Sequence, residues 1–360
     1  MNQREIRTVV IPLEITLHID GPGNATVSAD LAPGLAAPAL AAAAITPSAP
    51  PFDGDYEKRQ GYDPDFLGAR WRVGLPQLSS QLAQQAARLI HPRPDNSHIL
   101  HYHHFSVVMH AERRFAVYSA ANVSFTQRYS MNRPRDVWRI DPRIAASAQV
   151  GADYYADNQF DRGHLSRRED LEFGDTPLMA LQSAADTNHF TNCTPQHKLF
   201  NQGKALWQGI ERHILEDAIL SGRFKAQVIT GAVFDNADPL YRQLQYPLQF
   251  WKVVAAVNDK GTLFATAYLA SQRDTIAQSG LEAAPALPFT PYRTFQLKIA
   301  EVERLTGLRF VCGAKDSKPL RQYDPLEHPL PPTASGNAPA LAAGAAPVYI
   351  ELHSLADIVR

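Results

Sequence analysis

Five runs of β-branched and aromatic residues set the tightest limit on how this chain can fold. ILHYHHFSVVMH (residues 99 to 110) and RRFAVYSAANV (113 to 123) show apolar alternation around a polar break, the pattern of a strand hairpin. FKAQVITGAVF (224 to 234), LQFWKVVAAV (248 to 257) and GTLFATAYLA (261 to 270) follow, punctuated by Gly, Asp and Asn. Helical spacing is confined to a few places. Leu206, Ile210, Ile214 and Ala218 recur at that spacing in KALWQGIERHILEDAIL (204 to 220), and FQLKIAEVERLTG (295 to 307) reads as a helix stopped by Gly307. SSQLAQQAARLI (79 to 90) reads as a short amphipathic helix, and GYDPDFLGARW (61 to 71) as a loop clamped by its aromatics. The pattern predicts an α+β fold: a central antiparallel sheet with packed helices.

The ends differ from this body. LAPGLAAPALAAAAITPSAP (31 to 50) and PTASGNAPALAAGAAP (332 to 347) are rich in Ala and Pro and read as linkers or loose arms. Outside them lie two short strands. Ile11, Leu13, Ile15, Leu17 and Ile19 alternate with polar residues and Pro12, as do Val348, Ile350 and Leu352. These strands can pair with each other, dock on the main sheet or bridge two subunits. The expected organisation is an N-terminal strand and linker (1–50), an extension packing on the core (51–97), the main domain (98–315) and a C-terminal tail with linker and terminal strand (316–360).

Lys and Arg number 35 against 36 Asp and Glu, so no global positive field draws the chain to a polyanion; any such site is a local patch. Cys193 and Cys312 are too few for a disulfide framework and lack the spacing of a zinc site. They read as buried thiols. The sequence has neither a membrane-spanning run nor a cleavable signal pattern. That predicts a cytoplasmic protein, or one exported without a cleaved signal peptide.

The chemistry concentrates in two segments. DRGH (161 to 164) presents one histidine, and Arg162, Arg167 and Arg168 around it are donors suited to phosphate. TNHFTNCTPQHKLFNQGKALWQGIE (187 to 211) brings amide oxygens and Glu211 to the start of a helix, hard donors of the kind that suits magnesium. A neutral imidazole can take a proton from water near neutral pH while a metal ion stabilises charge on a phosphoryl oxygen. The residues predict phosphodiester hydrolysis.

DRGH, TNHFTNCTPQ (187 to 196), NQG (201 to 203), Trp207 and Glu211 together resemble the DNA/RNA non-specific endonucleases, a ββα-metal family that includes mitochondrial endonuclease G. DVWRIDPRI (136 to 144), VITGAVFD (228 to 235), FWKVVA (250 to 255) and IAEVERLTGLRF (299 to 310) resemble later landmarks of that family, extending the likeness over residues 98 to 315. The resemblance implies a ββα-metal nuclease core with His164 as general base, Asn201 as direct metal ligand and Glu211 holding metal-bound water. Arg162 would contact phosphate or stabilise the transition state, and Arg135 stands nearest to a second catalytic arginine. Arg167, Arg168, Asn192, Gln196 and Lys204 are the remaining candidate substrate contacts. The implied cofactor is Mg2+, with Mn2+ or another divalent cation as alternative. The implied substrates are DNA and RNA, recognised through the backbone without strong sequence preference and cut to leave 5′-phosphate ends.

Two features depart from the family pattern. Trp207 and Glu211 follow Asn201 by six and ten residues where four and eight are usual. A longer loop through Gly203 and Lys204 restores the phase, or Glu216 or no acid takes the role. Asp136 stands where the family has an arginine, with Arg133 and Arg135 nearby.

Plainer readings accompany these. His101, His103 and His104 on a core hairpin read as packing residues before a metal site, His189 and His197 as structural, Cys193 as an inert thiol and Trp207 as helix core. Arg167 and Arg168 can equally pair with Glu169 and Asp170. A catalytically inactive or latent nucleic-acid-binding protein with the same fold, and a phosphodiesterase for small nucleotides, are the rival functions. Unregulated cleavage would harm a host, so an inhibitor protein, a homo-oligomer or delivery into another cell is expected to contain it.

Overall fold

The computed structural model of the protein describes residues 13–19, 25–31, 52–125, 128–129, 136–198, 225–258, 260–273, 294–327 and 349–352. In chain order its main elements are β1 (Leu13–Ile19), β2 (Ala25–Leu31), α1 (Ser80–Gln85), β3 (Ile99–His101), β4 (Phe105–Met109) and β5 (Ala116–Ser124). There follow β6 (Phe160–His164), α2 (Pro177–Asp186), β7 (Cys193–His197), β8 (Lys225–Val233) and β9 (Gln249–Val257). The last are β10 (Leu263–Ser271), β11 (Thr294–Leu297), α3 (Ile299–Thr306) and β12 (Tyr349–Leu352).

The chain divides into two compact units, Met1–Ser48 and Ala49–Arg360. In the first, β1 and β2 form an antiparallel hairpin from Leu13 opposite Leu31 to Ile19 opposite Ala25. The Ala/Pro-rich stretch expected to begin a linker at residue 31 therefore starts on the last residue of a strand.

Eight strands make the sheet of the second unit, in the order β12-β11-β10-β9-β8-β5-β4-β3, every neighbouring pair antiparallel. On one face Val123, Val228, Val254 and Tyr268 join Leu165, Leu171 and Phe173 in a buried cluster. On the other, Ile229, Trp251, Val253 and Ala267 pack with Ile299, Val302 and Phe310. Strands covered on both faces have no polar side, so they read as near-continuous apolar runs.

The structure corrects the start of one predicted helix. Residues 295 to 297 belong to β11, where Phe295 and Leu297 are buried between β10 and β12, and α3 begins at Ile299. Its end is as expected: Gly307 caps it at φ 71°, a left-handed conformation that a side chain disfavours. α1 is a single capped stretch, Ser79 accepting from the amide of Leu82, and residues 86 to 90 leave it. The C-terminal strand takes one of its three open placements, pairing with β11 at the sheet edge, while the N-terminal strand pairs with β2. Among the described residues no helix is long and apolar enough to cross a membrane.

β6 and β7 stand apart from the large sheet as a two-stranded antiparallel ribbon. Phe160 and Cys193 of this ribbon join Phe115, Val150, Tyr154, Tyr155, Phe190, Tyr246 and Leu248 in a third core cluster. α2, capped by Thr176 and entered through Pro177, delivers the chain at Asp186 to the loop that precedes β7.

Residues 52 to 59 lock onto that loop. The Arg59 side chain donates from Nε and Nη2 to the two oxygens of Asp186, at 2.8 and 2.9 Å, and both side chains are 1% exposed. His103 adds its backbone amide and Nδ1 to the same carboxylate. Burial pushes the Asp186 carboxyl up, but hydrogen bonds from His103 and Arg59 and the Arg59 charge outweigh it and hold it well below the usual carboxylate range. Around this pair cations and rings alternate: Arg139 on Phe52, Arg59 on Phe52 and Tyr56, Arg143 on Tyr56 and Tyr102. Arg59→Leu leaves a buried carboxylate uncompensated and is expected to cost about 3–5 kcal/mol in urea unfolding. Because the Asp186 carboxyl is lowered on folding, its contribution is present at neutral pH. It is lost as the pH falls below about 4, the ordinary carboxylate value, which a pH series of unfolding midpoints for wild type and Asp186→Asn checks.

Candidate active site

The ribbon register sets Asp161 opposite Gln196, Arg162 opposite Pro195, Gly163 opposite Thr194 and His164 opposite Cys193. Residue alternation along a strand sends Arg162 and His164 to one face and Asp161 and Gly163 to the other. Gly163 is required by a close approach: a Cβ there would lie 2.2 Å from Cδ of Gln196, whose side chain crosses it.

Trp138 lies over both members of the first face. Its ring is 4.9 Å from that of His164, and the Arg162 guanidinium is 5.5 Å from it. Tyr155 and Phe190 bring two further rings to within 5.7 and 5.8 Å of the same guanidinium. Arg162 Nε is buried and has no hydrogen-bond partner among the described residues. A cation ringed by π-faces with an unused donor is equipped to meet an anion.

His164 Nε2 lies 3.1 Å from Oδ1 of Asn188, a residue 2% exposed. A carboxamide oxygen only accepts, so in the neutral imidazole Nε2 is the nitrogen that carries the proton. The backbone holds Asn188 in place. Its carbonyl accepts the Arg139 amide at 3.0 Å and the Phe190 amide donates to the Arg139 carbonyl at 2.9 Å, tying the Trp138 segment to the loop before β7.

The structure places several of the candidate substrate contacts in the interior. Asn192 is fully buried and uses its whole carboxamide: Oδ1 accepts from the Ser166 amide and Ser119 Oγ, while Nδ2 donates to the carbonyls of Ser166 and Thr187. Gln196 is 3% exposed and packs on Gly163. Arg168 is 2% exposed, its Nε 3.2 Å from Glu172 and its Nη1 3.6 Å from Asp136. It therefore points inward, away from solvent. Arg167 reaches Glu169 at 3.7 Å, as its structural reading has it. Arg135, Asn201, Lys204 and Glu211 lie outside the described residues, with Arg133, Trp207 and Glu216.

Four other histidines are held within the fold. His189 is buried, with Nδ1 on the Asp186 carbonyl and Nε2 on the Tyr56 hydroxyl. His101 meets Ser106 Oγ at 2.9 Å, His103 meets Asp186, and His104 stacks on Phe173 with burial pushing its pKa down to about 4. Among the described residues no three His, Cys, Asp or Glu gather into a metal site. The donors that the resemblance assigns, Asn201 and Glu211, are both oxygen donors, the chemistry that a hard divalent cation takes.

Sequence reasoning passed over Asn188 and did not assign Trp138 a role. The first stands inside a quoted motif, TNHF, and the second inside DVW; only the fold shows that both touch His164.

Residues 84–317 match the family described as DNA/RNA non-specific endonuclease, and the chain belongs to that family. It is 34% identical over 298 residues to the uncharacterized protein y4fB of Sinorhizobium fredii (strain NBRC 101917 / NGR234), a match covering 77% of this chain. It spans 43% of that relative's length. Among solved structures, the EndoG/EndoGI complex, described as showing the mechanism of EndoG inhibition, aligns with TM-score 0.45 and 16% identity over 64% of this chain and 91% of that one.

The Cys193 thiol is fully buried beside the Tyr155 hydroxyl, and burial pushes its pKa up to about 12; Cys312 is buried and raised as well. Native protein at pH 8 should therefore leave both thiols unreacted with Ellman's reagent over minutes, and denaturation should release two.

Proposed function

We propose that this chain is a metal-dependent, sugar-non-specific endonuclease that hydrolyses phosphodiester bonds of DNA and RNA. The observation that carries the reading is the hydrogen bond from His164 Nε2 to Asn188, which in the neutral imidazole puts the lone pair on Nδ1. A neutral imidazole in that tautomer can take a proton from water as the oxygen attacks phosphorus. The bond to the 3′ oxygen breaks, solvent returns a proton to that oxygen, and a 5′-phosphate remains. Arg162, set among three rings, offers its guanidinium to the phosphate oxygens. Asn201, with Glu211 through water, would hold a magnesium-type ion whose charge offsets that building on the phosphate and the leaving group. Contacts of this kind read the backbone and leave base sequence unread.

Purified protein with Mg2+ is expected to cut both supercoiled plasmid and single-stranded RNA, and EDTA to stop it. His164→Ala should lower the rate by about 10²- to 10⁴-fold, the scale of a general base, with both substrates still bound. Cleavage undiminished in His164→Ala would remove the base from the mechanism. Binding without cleavage by the wild type under any divalent metal would favour the inactive, nucleic-acid-binding alternative.

A further inference from the structure

The amide of Asn188 can be seated two ways, and the two have opposite consequences for His164. With Oδ1 toward the imidazole, Nε2 carries the proton and Nδ1 accepts. With Nδ2 toward it, Nε2 must accept, the proton moves to Nδ1, and that nitrogen becomes a donor. Which way the amide sits depends on what its far end meets.

Its far end meets Asp136. Nδ2 of Asn188 donates to Oδ1 of Asp136 at 3.4 Å. A carboxylate only accepts, so the amino group must face it and the oxygen must face His164. Behind Asp136 stands Arg168, with Nη1 3.6 Å from the same oxygen and the guanidinium in the interior. Nη1 and Nη2 of Arg168 have no hydrogen-bond partner among the described residues, so its charge acts on the carboxylates of Asp136 and Glu172 beside it. Arg168, Asp136, Asn188 and His164 form a line from a buried cation to the imidazole.

We propose that Asp136 is a positioning residue that fixes the tautomer of His164 through Asn188, with Arg168 holding Asp136 in place. The inference rests on His164 acting as a base. It explains why the loop before β7 and the Trp138 segment are tied by two backbone hydrogen bonds at Asn188 and Arg139: the line works only while Asp136 and Asn188 keep their separation. It also gives Arg168 a use in the interior that substrate contact would not.

The test reads the tautomer directly. Imidazole ¹⁵N shifts of His164, recorded where the ring is neutral, should show Nε2–H in the wild type and in Asp136→Asn, which keeps an acceptor oxygen. Asp136→Leu should show a mixture or Nδ1–H. Alongside, Asp136→Leu should lose about 10- to 100-fold in kcat, the scale of removing a partner that orients a catalytic group, with KM nearly unchanged. Asp136→Asn should keep most of the activity. Asn188→Asp presents an acceptor to Nε2 whatever lies behind it, so adding Asp136→Leu to it should cost little further.

An unaltered Nε2–H signal and unaltered kcat in a folded Asp136→Leu variant would overturn the proposal and leave the base reading standing. Full activity in His164→Ala would overturn the base reading instead. The ¹⁵N measurement answers the tautomer question in either case.

Discussion

The carboxamide of Asn192 is the joint on which the site hangs. With four hydrogen bonds it connects Ser119 on a central strand of the large sheet, both backbone groups of Ser166 just past β6, and the carbonyl of Thr187 at the start of the next loop. Neither β6 nor β7 pairs with the large sheet, so the ribbon carrying Arg162 and His164 is oriented by this polar contact, by the Gln272 side chain on the His197 amide and Pro195 carbonyl, and by the aromatic cluster beneath it. A fully satisfied buried amide is directional where apolar packing is not, and its geometry is the one that lets Asn188 arrive within reach of His164.

The charges around the site sort by depth. Arg162 sits among aromatic rings with an unused donor, while Arg168 is sunk behind Asp136 and Glu172. Six positions apart, Arg162 lies among the rings on the ribbon face while Arg168 faces the protein's own carboxylates. Asp136 marks the difference from the family pattern, because an acid at that position needs a cation behind it and finds one in Arg168.

Much of this was legible in the residues, and the limits have physical causes. DRGH declares itself because strand β6 keeps its candidate residues contiguous, and the strand runs show through because burial on both sides favours apolar residues over polar ones. Asn192, Gln196 and Arg168 look like ligands in a linear reading because polar residues crowd the motif; burial turns them inward, and burial is a property of the fold. Asn188, Trp138 and Asp136 come to His164 from two separate loops, so no local spacing announces them. β2 escaped notice because Ala25, Val27 and Ala29 give it little hydrophobic contrast with Thr26, Ser28 and Asp30. In the sequence β11 merges with the following helix because only Lys298 separates the two elements.

The contact between Arg59 and Asp186 bears on where a working fragment can begin. Likeness to the family starts at residue 84, yet the cation that neutralises the buried end of α2 lies upstream of that point. A fragment beginning at residue 84 and running through Leu352 would carry every strand of the large sheet and the whole ribbon, and would still bury a carboxylate without its arginine three residues before His189 and two before Asn188. The Tyr56 hydroxyl that seats His189 would be gone too. Evolutionary likeness and electrostatic self-sufficiency end at different residues, and the second decides what can be expressed on its own.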